Sequence, residues 1–210
     1  MSVEQISRRA VVAVAAAATV APIEPATAQQ KDPSWVRAPL RYIPQFIIDT
    51  PPSKVSIELA MSPFCSDSSR FILNALLPFL KKNSLAGGSR VIFHQFPRVE
   101  NEVAMMKELL SYERDKLIAI SMKVMTDVDH NHREPRGAYE IAGAAKAIGA
   151  QKDPAFNAAT ADAAVRKLNQ LMATKMGITQ TPTLFVNGNK VGFVKTAADL
   201  DGAIAKFAKA

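Results

Sequence analysis

The chain has one cysteine in 210 residues, and its neighbours frame it for redox chemistry. Cys65 stands in Met61-Ser62-Pro63-Phe64-Cys65-Ser66-Asp67-Ser68, after the strand-like run 55–59 and before a helix-like run over 69–82. The thiolate is the reactive form of cysteine. A helix start favours that anion, because it offers unpaired backbone N–H groups and the positive end of the helix dipole. Ser68 is spaced to donate its hydroxyl proton to the sulfur. The Asp67 carboxylate suits a helix start but repels a neighbouring thiolate. A lone cysteine makes no disulfide within its own chain, so its chemistry requires another molecule, or Cys65 of a second chain in a linked dimer. The commoner role of a single cysteine is that of a small, inert, buried hydrophobe. The position between strand and helix argues against that role here.

A second segment carries chemical interest far downstream. In Gly177-Ile178-Thr179-Gln180-Thr181-Pro182-Thr183-Leu184-Phe185-Val186-Asn187-Gly188 a Thr-Pro-Thr step enters an apolar strand, and Asn187-Gly188 is a strong hairpin signal. The remaining ligand-like residues are weaker. Asp127-Val128-Asp129-His130-Asn131-His132 collects groups that ligate metals. No second cluster supports them, so the reading is a polar loop ending a helix, with no metal and no cofactor. His94 falls in a strand and reads as structural. Met105, Met106, Met122, Met125, Met172 and Met176 read as helical core.

The elements that must position these residues follow from periodicity. Residues 55–60 read as the first strand of the body. Phe71, Ile72, Ala75, Leu76, Phe79 and Leu80 recur at helical spacing, and Pro78 predicts a kink or a second segment. Residues 90–96 are β-branched and aromatic, giving a strand–helix–strand unit with a parallel pair. From 102 to about 176 no strand signal appears, and apolar spacing predicts helices around 105–125, over 138–148 and over 162–176, with a polar break over 127–137. A strand at 183–186, its return at 190–194 and a final helix at 198–208 close one domain. Residues 29–54 read as an extended, proline-rich arm packed on the body, with a short strand at its apolar piece Phe46-Ile47-Ile48.

Residues 1–28 read as an export signal. Ser7-Arg8-Arg9 precedes a short alanine-rich apolar stretch and an Ala26-Thr27-Ala28 cleavage site, in a twin-arginine variant whose Val11-Val12 replaces the usual bulkier pair. The apolar run is shorter than the roughly 20 residues that a spanning helix needs. No stable membrane span is therefore expected after cleavage. Export implies a periplasmic or otherwise oxidising compartment. Net charge is +7. It stays there after cleavage, since Glu4 and Glu24 leave with Arg8 and Arg9. Without a basic cluster interleaved with aromatics, nucleic acid is not an expected partner.

Taken together, Phe64-Cys65-Ser66-Asp67-Ser68, the kinked Leu76-Leu77-Pro78-Phe79-Leu80 helix with the 90–97 strand, and the Thr181-Pro182-Thr183 entry to a hairpin resemble the DsbA-like family of thioredoxin-fold proteins, exported thiol–disulfide oxidoreductases. The resemblance runs from about Val55 to the C-terminus. It implies an α/β thioredoxin fold with a helical insertion, about 102–176, between the second and third core strands. It also implies a cis Pro182 facing Cys65, Thr181 against the sulfur, and Phe64 beside the substrate groove. The departure is at Ser68, where the family's C-x-x-C motif has its second thiol. The expected activity is therefore monothiol exchange: Cys65 forms mixed disulfides, and a second thiol resolves them. The expected partners are cysteine-containing exported proteins or small thiols such as glutathione. The alternative is a redox-incompetent module that binds extended peptides in the Thr181-Pro182 groove, as a chaperone does. A glutathione-dependent isomerase of small molecules fits an exported chain less well.

Overall fold

The computed structural model describes residues 46–50, 55–84 and 89–207. The export signal at 1–28 and the arm up to residue 45 lie outside the described residues.

Among the described residues five strands form one sheet, in the order β1 (Phe46–Thr50), β3 (Ser89–Gln95), β2 (Val55–Met61), β4 (Thr183–Val186), β5 (Asn189–Phe193). The central strand, β2 (Val55–Met61), pairs in parallel with β3 (Ser89–Gln95) and antiparallel with β4 (Thr183–Val186). Along β2 the side chains alternate between faces, as strand geometry requires. Ile57, Leu59 and Met61 join one core, and Ala60 joins the other. The edge strand β1 (Phe46–Thr50) runs antiparallel to β3, so the apolar piece of the arm is part of the sheet. At the opposite edge lies β5 (Asn189–Phe193), joined to β4 by a tight turn in which Asn187 and Gly188 take φ of 47° and 75°. Those left-handed values explain the Asn-Gly pair.

One face of the sheet carries the helix that follows Cys65 and the C-terminal helix α7 (Ala197–Phe207). The first of these is interrupted. α1 (Ser66–Phe71) passes into a π turn (Ile72–Leu76) and then into α2 (Leu77–Ser84). Pro78 has no N–H to give to the preceding turn, and the wider turn just before it is a common way for a helix to absorb such a loss. The interruption expected from Pro78 is thus a π turn just before the proline, with a second helical segment after it.

The other face carries the insertion: α3 (Glu100–Leu110), α4 (Leu117–Asn131), α5 (Ala138–Ala147) and α6 (Ala158–Lys175). Two ends differ from the sequence reading. α4 continues through Asp127, whose carboxylate takes Lys123 at 2.6 Å one turn earlier, so the polar break begins only at His132, a left-handed residue with φ of 53°. α6 starts at Ala158 because Asn157 caps it, its Oδ1 accepting the Thr160 amide at 2.9 Å. The apolar spacing alone did not register those first polar and alanine positions. α4 also packs on α1, which brings the loop after α4 to the start of the Cys65 helix.

Candidate active site

The strand–turn–helix at Cys65 is tied down by its own backbone. The Cys65 amide donates to the Ser62 carbonyl at 3.1 Å, and the Cys65 carbonyl accepts from the Ser69 amide at 2.9 Å and from the Ser69 hydroxyl at 3.0 Å. Cys65 is thus the residue from which α1 begins, with extended backbone angles (φ −90°, ψ 127°). Its thiol is a free thiol and only 2% exposed.

The sheet brings the second segment to it. Antiparallel pairing of β2 with β4 places Ala60 opposite Thr183, so the chain entering β4 passes the end of β2 where Cys65 follows. The Thr181–Pro182 peptide is cis, and the Cys65 thiol donates to the Thr181 carbonyl at 3.6 Å across 116 positions of sequence. Thr181 is buried, and its hydroxyl has no partner among the described residues. An unmet buried hydroxyl costs on the order of 1–3 kcal/mol.

Two of the expected site residues sit differently from the sequence reading. Ser68 is fully buried, and its hydroxyl accepts the Ser62 amide at 3.3 Å, so its described bond braces the turn before the cysteine and is not made to the sulfur. Phe64 has zero exposure and packs into the insertion-side core with Ala60, Phe96 and Met106. It offers no face to a groove. Burying such a ring is worth about 1.5–3 kcal/mol, and the large aromatic is explained by that packing. His94 lies in β3 with Nε2 3.0 Å from Glu58 on the neighbouring β2, a pairing between strands.

The structure adds a charged relay beside the thiol. The buried Glu102 carboxylate accepts the Ser62 hydroxyl at 2.8 Å, the Arg98 main-chain amide at 2.8 Å and Arg98 Nε at 2.7 Å, and Arg98 Nη2 also bonds it. Nη2 reaches both oxygens of Glu134, each at 2.9 Å, and Glu134 Oε1 accepts the amide of Ser66 at 3.2 Å. Burial works against the Arg98 charge, but the Glu102 hydrogen bond, the negative groups around it and the Glu134 bond outweigh it and hold the guanidinium above the ordinary arginine range. Arg98 and Glu102 are one helical turn apart, just after Pro97, and that spacing is a readable ion-pair signal. Glu134 carries no such signal, because only the packing of α4 on α1 brings its loop to residue 66.

A family model described as Thioredoxin matches residues 44–206. The chain belongs to the thioredoxin family. No curated protein matches the chain. Among solved structures it is similar to alpha-DsbA1 of Wolbachia pipientis, with 19% identity, a TM-score of 0.61 and coverage of 80% of this chain and 92% of the other. A periplasmic thioredoxin-like protein of Salmonella enterica serovar Typhimurium shares 17% identity with a TM-score of 0.60, over 90% of this chain and 100% of its own. DsbA of Chlamydia trachomatis shares 16% with a TM-score of 0.55, over 90% and 96%. The fold is therefore that of the DsbA-like thioredoxin proteins, with a helical insertion between β3 and β4. Among the described residues, no helix is long and apolar enough to cross a membrane.

Proposed function

We propose that this protein is an exported monothiol exchange protein that works on disulfides through Cys65. The observation that supports it best is the contact of the Cys65 thiol with the Thr181 carbonyl beside the cis Pro182, which joins the two segments that the sequence singled out. In this reading the Cys65 thiolate attacks one sulfur of a substrate disulfide. The Cys65–substrate S–S bond forms, the substrate's own S–S bond breaks, and the second substrate sulfur leaves as a thiolate that takes a proton from water. A second thiolate, from the substrate or from a small thiol, then attacks the mixed disulfide and frees Cys65. One disulfide exists before and after, so the cycle rearranges bonds without net oxidation. Net oxidation of a dithiol by the chain alone needs a disulfide held within it, and a chain with one cysteine holds none, so an oxidising equivalent would have to come from another molecule. Thr181 and Pro182 present the edge along which an extended substrate lies, and residues 1–28 direct the chain to the compartment where disulfides persist.

The test is refolding of a scrambled-disulfide substrate with a trace of small thiol, by the wild type and by Cys65→Ala. Wild type is expected to speed the reshuffling and Cys65→Ala to match the blank. Equal activity of the two would end the monothiol reading, and equal binding of unfolded clients by both would then make the peptide-binding module the better one.

A further inference from the structure

Cys65 is 2% exposed, so no disulfide reaches it until some neighbour moves. The residues bonded to its turn divide into fixed and removable ones. Glu102 and Thr181 are buried. Arg98 is anchored to Glu102 through its main-chain amide and its guanidinium. Glu134 differs from all of these. Its side chain is 43% exposed, and it stands in an exposed loop just past the left-handed turn at His132. The described bonds of its carboxylate all point inward: it accepts from Arg98 Nη2 at both oxygens and from the amide of Ser66, the residue directly after Cys65. One carboxylate thus bridges Arg98 Nη2 and the amide one residue after Cys65, from a side chain that solvent reaches.

We propose that the Arg98 guanidinium beside Cys65 is a carboxylate subsite that Glu134 fills when no substrate is bound, so that the thiol prefers disulfides carrying a carboxylate near the sulfur. This rests on the monothiol reading and adds the chemistry of its substrate. An incoming carboxylate replaces Glu134 on Arg98, the loop lifts from the turn, and Cys65 is uncovered. The thiolate then attacks the sulfur nearer the bound carboxylate. That fragment stays on Cys65 as a mixed disulfide with its acid on Arg98, and the other fragment leaves as a thiolate and is protonated by solvent. Arg98 meets Glu134 through Nη2 alone, Nε and Nη2 being also bonded to Glu102, so the buried Glu102 fixes the position of the cation that receives the incoming carboxylate.

The chain's single cysteine makes the test direct, because every thiol signal reports Cys65. Rates of Cys65 modification are measured for the folded full-length chain with 5,5′-dithiobis(2-nitrobenzoate), which carries carboxylates, with neutral 2,2′-dithiodipyridine and with cationic cystamine. The readout is the ratio of the anionic to the neutral rate within each variant, which cancels the probes' intrinsic reactivities. Glu134→Gln, an exposed change, is expected to raise both rates and to raise the ratio severalfold by removing the competing acid. Arg98→Gln is expected to lower the ratio about tenfold, and Arg98→Lys to fall between. If Arg98→Gln does not fold, Glu134→Gln and Arg98→Lys carry the test. Ratios that stay the same across the folded variants while Cys65 reacts readily overturn this subsite alone. A folded wild type that reacts with none of the probes overturns the monothiol reading and the subsite with it.

Discussion

In the proposed exchange, Ser68 decides which half of thiol chemistry is open to this chain. A thiol at that position would turn the mixed disulfide into an internal one; a hydroxyl cannot, and here it accepts the Ser62 amide instead. Ser68→Cys restores the C-x-x-C spacing on a turn already built for it. The expected outcome is a chain that joins Cys65 to the introduced thiol under mild oxidant and then oxidises a dithiol peptide stoichiometrically, which wild type does not do; mass and thiol counting check it. At this scale the sequence was informative where residue type is itself the chemistry. Cys65, Thr181 and Pro182 stand out because few residue types serve the roles that the resemblance implies. Phe64 was misplaced because an aromatic beside a cysteine looks the same whether it faces a groove or a core, and only the alternation of the preceding strand and the packing of α3 decide it. Arg98 and Glu134 lie 36 positions apart, and nothing local links them.

Helix and turn signals were legible to the extent that they are local. The Asn187-Gly188 hairpin depends on a few adjacent residues; the Asn157 cap is as local, but apolar spacing alone does not reveal it. The π turn before Pro78 and the continuation of α4 past Asp127 depend on how a helix relieves a missing donor or gains a Lys123 partner, which apolar periodicity does not report. Strand β1 carries a local signal in Phe46-Ile47-Ile48, but its place at the sheet edge is set by its pairing with β3. The start of α7 offers a prediction that belongs to this scale. Asp199 Oδ2 accepts the amides of Lys195 and Thr196 at 2.9 and 2.8 Å, while the Thr196 hydroxyl accepts the Asp199 amide at 3.2 Å. The amide bonds from Lys195 and Thr196 favour the charged carboxylate and hold it below its ordinary value. A lowered acid contributes stability that is present above its unfolded value, about 4, and is lost as pH falls through the lower folded value. Urea midpoints are therefore expected to drop from pH 5 toward pH 3, and Asp199→Asn to flatten that drop while lowering the midpoint at neutral pH. An acid limb of the same slope in the variant would assign it to other carboxylates, such as Glu140 and Asp162, which are also lowered.

At the scale of the whole molecule, the fold's contribution is to bring residue 65 and residue 181 together and then to cover them. The parallel β2–β3 pair, the antiparallel β4 and the helical insertion form a frame whose two cores leave Cys65 at the seam between strand and helix. The frame was readable because each part carries a period or a turn signal. Closure of the site was not, because it depends on a loop from the insertion reaching across to α1. The central claim is that this folded frame makes a single thiol capable of capturing a disulfide reversibly. Intact-mass analysis after exposure of the folded chain to a disulfide probe tests it most directly. The account predicts one adduct per chain, on Cys65, formed faster than on a denatured chain at the same pH and removed completely by a second thiol. A folded chain that stays unmodified, and takes up the probe only in denaturant, would contradict it.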